Sequence, residues 1–137
     1  MEWPSCVQNS GKVVKALGFW PGFHDAEVIS VSASRSGVGN PTSSSARLCV
    51  NVRYYKEIGQ GTADYEVVCF QNLLIEFLFD DLRFFSVEDF NHQNVIDAIE
   101  FLRVDDQLIE VNIRSIFGFG GVIRCARVEV GEVTTLI

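Results

Sequence analysis

Polar and apolar residues alternate along most of this chain with a period of two. In E-V-I-S-V-S-A-S-R, residues 27–35, Ile29, Val31 and Ala33 are set to face one way and Ser30, Ser32 and Ser34 the other. That spacing predicts a strand with one wet face. In A-R-L-C-V-N-V-R-Y, residues 46–54, Leu48, Val50, Val52 and Tyr54 alternate with Arg47, Cys49, Asn51 and Arg53. This is the cleanest strand signal in the sequence. Residues 36–45, S-G-V-G-N-P-T-S-S-S, have loop composition, so the two strands are expected to pair as an antiparallel hairpin.

The other segments follow from the same rules. Residues 1–22 read as a leading segment, with a short helix K-V-V-K-A-L between Gly11 and Gly18, stopped by W-P-G. After the connector K-E-I-G-Q-G-T-A-D, the runs Tyr65–Phe70, Leu73–Phe79 and Leu82–Val87 read as strands. Asp80 and Asp81 are expected to form a turn between the last two. D-F-N-H-Q-N is polar and turn-like, Val95–Val104 suits a strand or a helix, and D-D-Q is a turn. Leu108–Ile116 and Val122–Val130 are strands joined by G-F-G-G, where glycine permits positive φ. The expected fold is α+β or mostly β: a single domain over 1–137 with its core in 23–131. Its sheet is antiparallel-dominated, with about seven or eight strands and one or two short helices.

Composition narrows the class. A chain of 137 residues, 47% apolar and 21% charged, can bury a core without disulfide or metal staples. Trp3, Trp20 and most of the phenylalanines are core candidates. Cys6, Cys49, Cys69 and Cys125 are far apart and form no C-x-x-C pair. The last three lie in strand patterns and are expected as small buried hydrophobes, which suits a reducing cytoplasm. No apolar run reaches the roughly 20 residues of a membrane helix, and M-E-W-P-S does not resemble a signal peptide. No phosphate-binding glycine loop or nucleophile motif is present, and no cofactor is expected.

Charge is unevenly distributed. Residues 57–106 hold 2 basic and 12 acidic side chains, net −10, whereas residues 1–56 are net +3 and the whole chain is −7. The middle segment would repel phosphates, which argues against direct nucleic-acid binding. It would attract and steer a basic protein partner; equally, an acidic surface keeps a protein soluble.

Both histidines lie close to acids. His24 is followed by Asp25 and Glu27, and Asp89, Asn91, His92, Gln93 and Asn94 form a second polar cluster. On a strand, His24 and Asp25 would face opposite ways, a poor arrangement for a shared metal. The second cluster has the composition of a turn closed by side-chain hydrogen bonds to backbone. No metal and no catalytic residue is assigned. A small enzyme or metal-binding domain on His24, Asp25, Asp89 and His92 stands as one alternative, and a small-ligand-binding β domain with a large apolar pocket as another. Candidate partner contacts are Asp80, Asp81, Glu88, Asp89, Asp105 and Asp106. Phe117 and Phe119, which flank Gly118 in a glycine-rich turn, are expected to be exposed and to serve as aromatic anchors.

The order of these features resembles a known family. W-P-G-F-H-D-A-E-V (20–28) leads into a strand ending at Arg35, then come L-C-V-N-V, I-E-F-L-F-D-D-L-R-F-F (75–85), D-F-N-H-Q-N-V-I (89–96) and R-C-A-R-V-E-V (124–130). Together they are similar to the immunity protein 50 family of bacterial polymorphic-toxin systems, over roughly residues 20–131. The serine-rich loop 36–45 and the tail V-T-T-L-I depart from that pattern. The resemblance implies a small cytoplasmic protein that binds and neutralises a cognate toxin domain, without catalysis of its own; the acidic stretch suits a partner whose active site is basic, such as a nuclease domain. Of the motif residues, the resemblance implies scaffold or toxin contact for His24, Asp25, Glu27, Asn91, Gln93 and Asn94. It carries over no catalytic residue.

Overall fold

The alternating segments are strands, and they form one sheet that closes on itself. In chain order the elements are β1 (Val7–Gln8), α1 (Gly11–Leu17), β2 (Glu27–Ser36), β3 (Ser43–Ile58), β4 (Glu66–Glu88), β5 (Val95–Asp105), β6 (Leu108–Phe117) and β7 (Gly120–Thr135). The structure is a computed structural model and describes residues 4–37 and 43–136. Trp3, the first residues of the leading segment and residues 38–42 of the serine-rich loop lie outside the described residues. Neighbours run β1-β7-β4-β3-β2-β5-β6, and β6 returns to β7. Six strands therefore make a ring. β7 pairs with β6 over Gly121–Cys125 and with β1 over Val128–Glu129, and the β1 contact is parallel. Among the described residues the fold is mostly β, with one short helix, as the patterning predicts.

Alternation sets one row of side chains inward. Val28, Val50 and Ile75 are in register, as are Leu48, Phe77 and Val130, and Ala46, Phe79 and Val128. All are buried. Trp20 and Phe23, from the segment before β2, reach the same interior. Phe23 and Phe77 meet edge-on with ring centroids 5.7 Å apart, and Phe77 lies 5.4 Å from Phe101 of β5. β4 and β5 are not neighbours in the ring, so these rings meet across the inside of the barrel. Each buried phenylalanine contributes about 1.5–3 kcal/mol. The space a ligand-binding barrel would keep open is occupied by aromatic rings.

Several local expectations change. Ile29 is exposed and Val28 is buried, because the β2–β3 register shifts between Val28 and Ser30. That bulge turns one residue outward and resets the alternation. Asp80 and Asp81 do not turn the chain. β4 is one strand of 23 residues and pairs with β7 on both sides of them. Asp81 takes φ +57, and the register shifts between Leu82 and Phe84. A paired acid signals positive φ as readily in a bulge as in a turn. Val95–Val104 is strand. Cys125 is buried, whereas Cys49 and Cys69 are half-buried, and all four thiols are free.

α1 occupies the stretch between the two glycines and buries Val13 and Leu17. Lys12 Nζ donates to the Gly131 carbonyl of β7 at 3.0 Å. No helix among the described residues is long and apolar enough to cross a membrane.

β3 and β4 outrun their neighbours. β2 reaches only Asn51 of β3, and β7 begins its cover of β4 at Leu73. Beyond that, Arg53–Ile58 pair with Glu66–Asn72 as a two-stranded arm, and every residue from Tyr55 to Val67 is exposed.

Candidate functional site

The two polar motifs meet in space, and they meet through backbone. Glu27 of β2 is in register with Val95 of β5, and this pairing closes the ring. The Val28 N–H donates to the Asn94 carbonyl at 2.9 Å, the Ile96 N–H to the Ala26 carbonyl at 2.9 Å, and the Asp25 N–H to the Ile96 carbonyl at 2.9 Å. H-D-A-E-V and N-H-Q-N-V-I are thus the two sides of a short seam.

Side chains of the second motif lock that seam. Asn94 is 3% exposed. Its Oδ1 accepts the N–H groups of Asn91 at 2.9 Å and Phe119 at 3.2 Å. Its Nδ2 donates to the carbonyls of Asn91 at 2.7 Å and Val28 at 3.4 Å. Asn91 Oδ1 accepts the Gln93 N–H at 2.9 Å, and Asn91 Nδ2 donates to the Asp89 carbonyl at 2.7 Å. Asp89 enters this loop at φ +63. Gly118 packs against the same loop at φ +74, where a Cβ would sit 2.4 Å from the Gln93 oxygen. Asn91 and Asn94 therefore hold the scaffold. The side chains of His92 and Gln93 are exposed.

His24 lies in a turn, not on a strand. The Ala26 N–H donates to the Phe23 carbonyl at 3.1 Å, and both Phe23 and Asp25 have positive φ. This turn brings His24 Nε2 to 3.5 Å from Asp25 Oδ2, where a strand would have pointed them apart. His24 Nδ1 lies 3.0 Å from Asp97 Oδ1, and Arg114 Nε lies 3.9 Å from Asp97 and 3.3 Å from Glu100. All five side chains are largely exposed, so water screens the pairs. Among the described residues no three His, Cys, Asp or Glu side chains are grouped to hold a metal ion. Gly22, His24, Asp25, Arg53, Tyr54 and Tyr55 line a recess of about 380 Å³ at the base of the arm.

The acids of residues 57–106 are distributed over the arm, the rest of β4, β5 and the loops that follow each of these strands. Asp81 is held by Arg83, with Nη2 to Oδ2 at 2.8 Å, and that hydrogen bond keeps its carboxyl below the usual range. Glu76 pairs with Arg47 at 2.9 Å and accepts the Glu132 N–H at 3.2 Å. Asp105 Oδ1 accepts the Gln107 N–H at 2.8 Å in the β5–β6 turn. Asp80, Glu88, Asp89 and Asp106 enter no ion pair among the described residues. Ser43, Ser44, Ser45, Asp80, Asp81 and Arg127 line a polar recess of about 410 Å³.

The aromatic pair divides. Phe117 is 59% exposed, but Phe119 is fully buried, against the expectation from its turn. β7 starts directly after it, and its ring packs edge-on to Phe90 at 6.2 Å. Sequence reasoning missed Asp97 and Arg114, which only the closed ring brings to His24. It also missed the exposed apolar side chains of the arm. Tyr55, Val67 and Phe70 look like those of any half-buried strand; the polar connector between their two runs was the available sign of a hairpin tip.

No curated protein and no solved structure gives a significant match to this chain. A family profile described as Immunity protein 50 matches residues 9–136, which takes in α1, both seam motifs and the arm. With nearly its whole length matched, the chain belongs to the Immunity protein 50 family.

Proposed function

We propose that this immunity protein is non-enzymatic and acts by binding and neutralising one cognate toxin domain in the cytoplasm of the cell that makes both. The observation that carries the proposal is the family match across residues 9–136. The seam chemistry supports it: Asn91 and Asn94 spend their hydrogen bonds on backbone groups, which suits scaffolding and not turnover. His24, Asp25, Glu27 and Gln93 then act as scaffold rim or toxin contact.

The toxin face draws on the acidic stretch 57–106. Asp80, Glu88, Asp89 and Asp106 have no internal ion pair among the described residues, so their fields reach outward. Such charges steer a basic partner, a nuclease domain being one example, and inhibition needs complementary charge and shape rather than catalysis. Phe117 offers an exposed aromatic at the end of β6. The test is co-expression with the toxin domain encoded immediately upstream. Rescue of growth together with a co-purifying complex is the expected result; growth arrest with no complex overturns the proposal.

A further inference from the structure

We infer that the β3–β4 arm is the element that inserts into the toxin, and that its receptor is an apolar cleft with a basic rim. This rests on the toxin-binding reading above and adds the contact element and the chemistry of its partner.

The arm has no packing reason to carry apolar side chains. Beyond Tyr54 and Gln71 no third strand pairs with the ribbon among the described residues, and an isolated two-stranded hairpin is marginal in water. Yet Tyr55, Ile58, Tyr65, Val67 and Phe70 are all exposed there. Register puts Tyr55 opposite Cys69 and Glu57 opposite Val67, so Tyr55 and Val67 share one face of the ribbon. Exposed apolar groups concentrated on one projecting element mark a protein contact, and tyrosine and phenylalanine are the residue types that anchor such contacts.

The arm is held in shape before binding. Tyr54 packs edge-on to Phe19 with centroids 5.3 Å apart, and Gln71 Nε2 donates to the Leu17 carbonyl at 3.2 Å. Asn51 Nδ2 donates to Asn72 Oδ1 at 2.7 Å. Toward the tip, the Tyr65 hydroxyl donates to Glu57 Oε1 at 3.2 Å, and Lys56 Nζ sits 5.5 Å from the centre of the Phe70 ring. An ordered ribbon loses less entropy on docking.

Charge selects the receptor. Between Lys56 and Glu66 the acids Glu57, Asp64 and Glu66 outnumber the single base, Lys56. A negative tip around aromatic anchors fits an apolar cleft rimmed by lysine or arginine, and is repelled by an acidic one. At the base, the recess beside Tyr55 carries Asp25 and Arg53 together, so the excess negative charge lies toward the tip.

The experiment measures binding of the full-length protein to the toxin domain encoded immediately upstream, with melting temperature and sedimentation recorded for each variant. Tyr55→Ser with Val67→Ser is expected to weaken binding about 100-fold, with the fold intact because both side chains lie outside the core. Asp64→Lys with Glu66→Lys leaves every apolar group in place and is expected to slow association about tenfold. Leu102→Ser with Val104→Ser, equally exposed but on β5, is expected to bind like the parent. If the parent binds the toxin and both arm variants bind within twofold of it, the arm inference fails and the toxin-binding reading stands. If the parent binds no toxin, both fail. If the arm variants alter only self-association in sedimentation, the arm is a contact between copies of this chain and the inference fails.

Discussion

The side-chain oxygen of Asn94 accepts the backbone N–H of Phe119 at 3.2 Å, and this bond joins the loop after β4 to the start of β7. The same side chain serves Asn91 and the Val28 carbonyl, so three separate segments depend on one amide. Replacing it with alanine leaves the buried Phe119 N–H and the part-buried Asn91 N–H without this acceptor, the buried one at a cost of about 1–3 kcal/mol. Asn94→Ala is expected to lower unfolding free energy by about 2–4 kcal/mol, measured by urea titration. Because Asn94 is buried, toxin affinity per folded molecule should not change.

Gly118 is locked to the same loop from the other side. At φ +74 an added Cβ would lie 2.4 Å from the Gln93 oxygen and 2.8 Å from Asn94 Oδ1. Positive φ alone costs a non-glycine residue about 1–2 kcal/mol, and the clash adds to it. Gly118→Ala should therefore fold poorly or lose more than that amount in urea titration. Gly11→Ala is the contrast. It opens α1, has nothing within 4 Å of the added carbon, and should be neutral or slightly stabilising.

Features set by consecutive residues are legible in the sequence, and features set by a partner strand are not. The alternation of β3 gave Leu48, Val50 and Val52 their inward side directly, because period two is a property of consecutive residues. Ile29 was misassigned because a bulge depends on the partner strand's register, which one segment does not encode. Asp80–Asp81 was misplaced for a related reason: positive φ at an acid serves a turn and a bulge alike. The polar motif around Asn94 was legible as backbone-binding chemistry. Which backbone it binds, at Val28 and Phe119, depended on the ring closing. The polar connector marks a hairpin tip, but nothing in Tyr55 or Val67 reveals that neighbouring strands stop short of them.

Acid pH should weaken the fold through two surface carboxylates. The Arg124 guanidinium, at 2.8 Å, and then Asn112 hold Glu110 below the usual carboxylate range, and Arg83 does the same for Asp81. A carboxyl whose folded pKa is depressed binds protons more readily when unfolded. Its contribution is complete above the unfolded pKa, about 4, and is lost as pH falls through the folded pKa. Glu110→Gln with Asp81→Asn should lower the urea midpoint at neutral pH. The gap from the parent should close in strong acid. A gap that stays constant with pH would remove these pairs from the acid response.

The four thiols should react unequally. Burial pushes Cys125 up to about 11, and its thiol donates to the Arg127 carbonyl at 3.3 Å, a bond that only the protonated form can make. At pH 8 roughly one molecule in a thousand would carry that thiolate, and the group is closed to solvent. Cys6, Cys49 and Cys69 are half-buried. With an aromatic disulfide reagent on the folded protein, Cys125 is expected to react last, at the rate of large-scale opening. In Cys125→Ala the slow phase should vanish. A slow phase that persists there would place the protected thiol elsewhere.

Charge at a distance and contact at the arm should separate kinetically. Asp80 lies in mid-β4 beside Arg127, and Asp106 lies at the β5–β6 turn; neither enters an ion pair among the described residues. Asp81 and Asp105 are poorer probes, since one is tied to Arg83 and the other caps Gln107. Steering acts on encounter, so Asp80→Lys with Asp106→Lys should slow association with a basic toxin by about tenfold at low salt. It should also flatten the dependence of that rate on ionic strength. Dissociation should change little, whereas removing the arm's apolar anchors should act mainly on dissociation. Stopped-flow association and dissociation rates at two or more salt concentrations resolve the two effects. An association rate that stays unchanged at low salt in the double lysine variant would take these acids out of the mechanism and leave recognition to the arm.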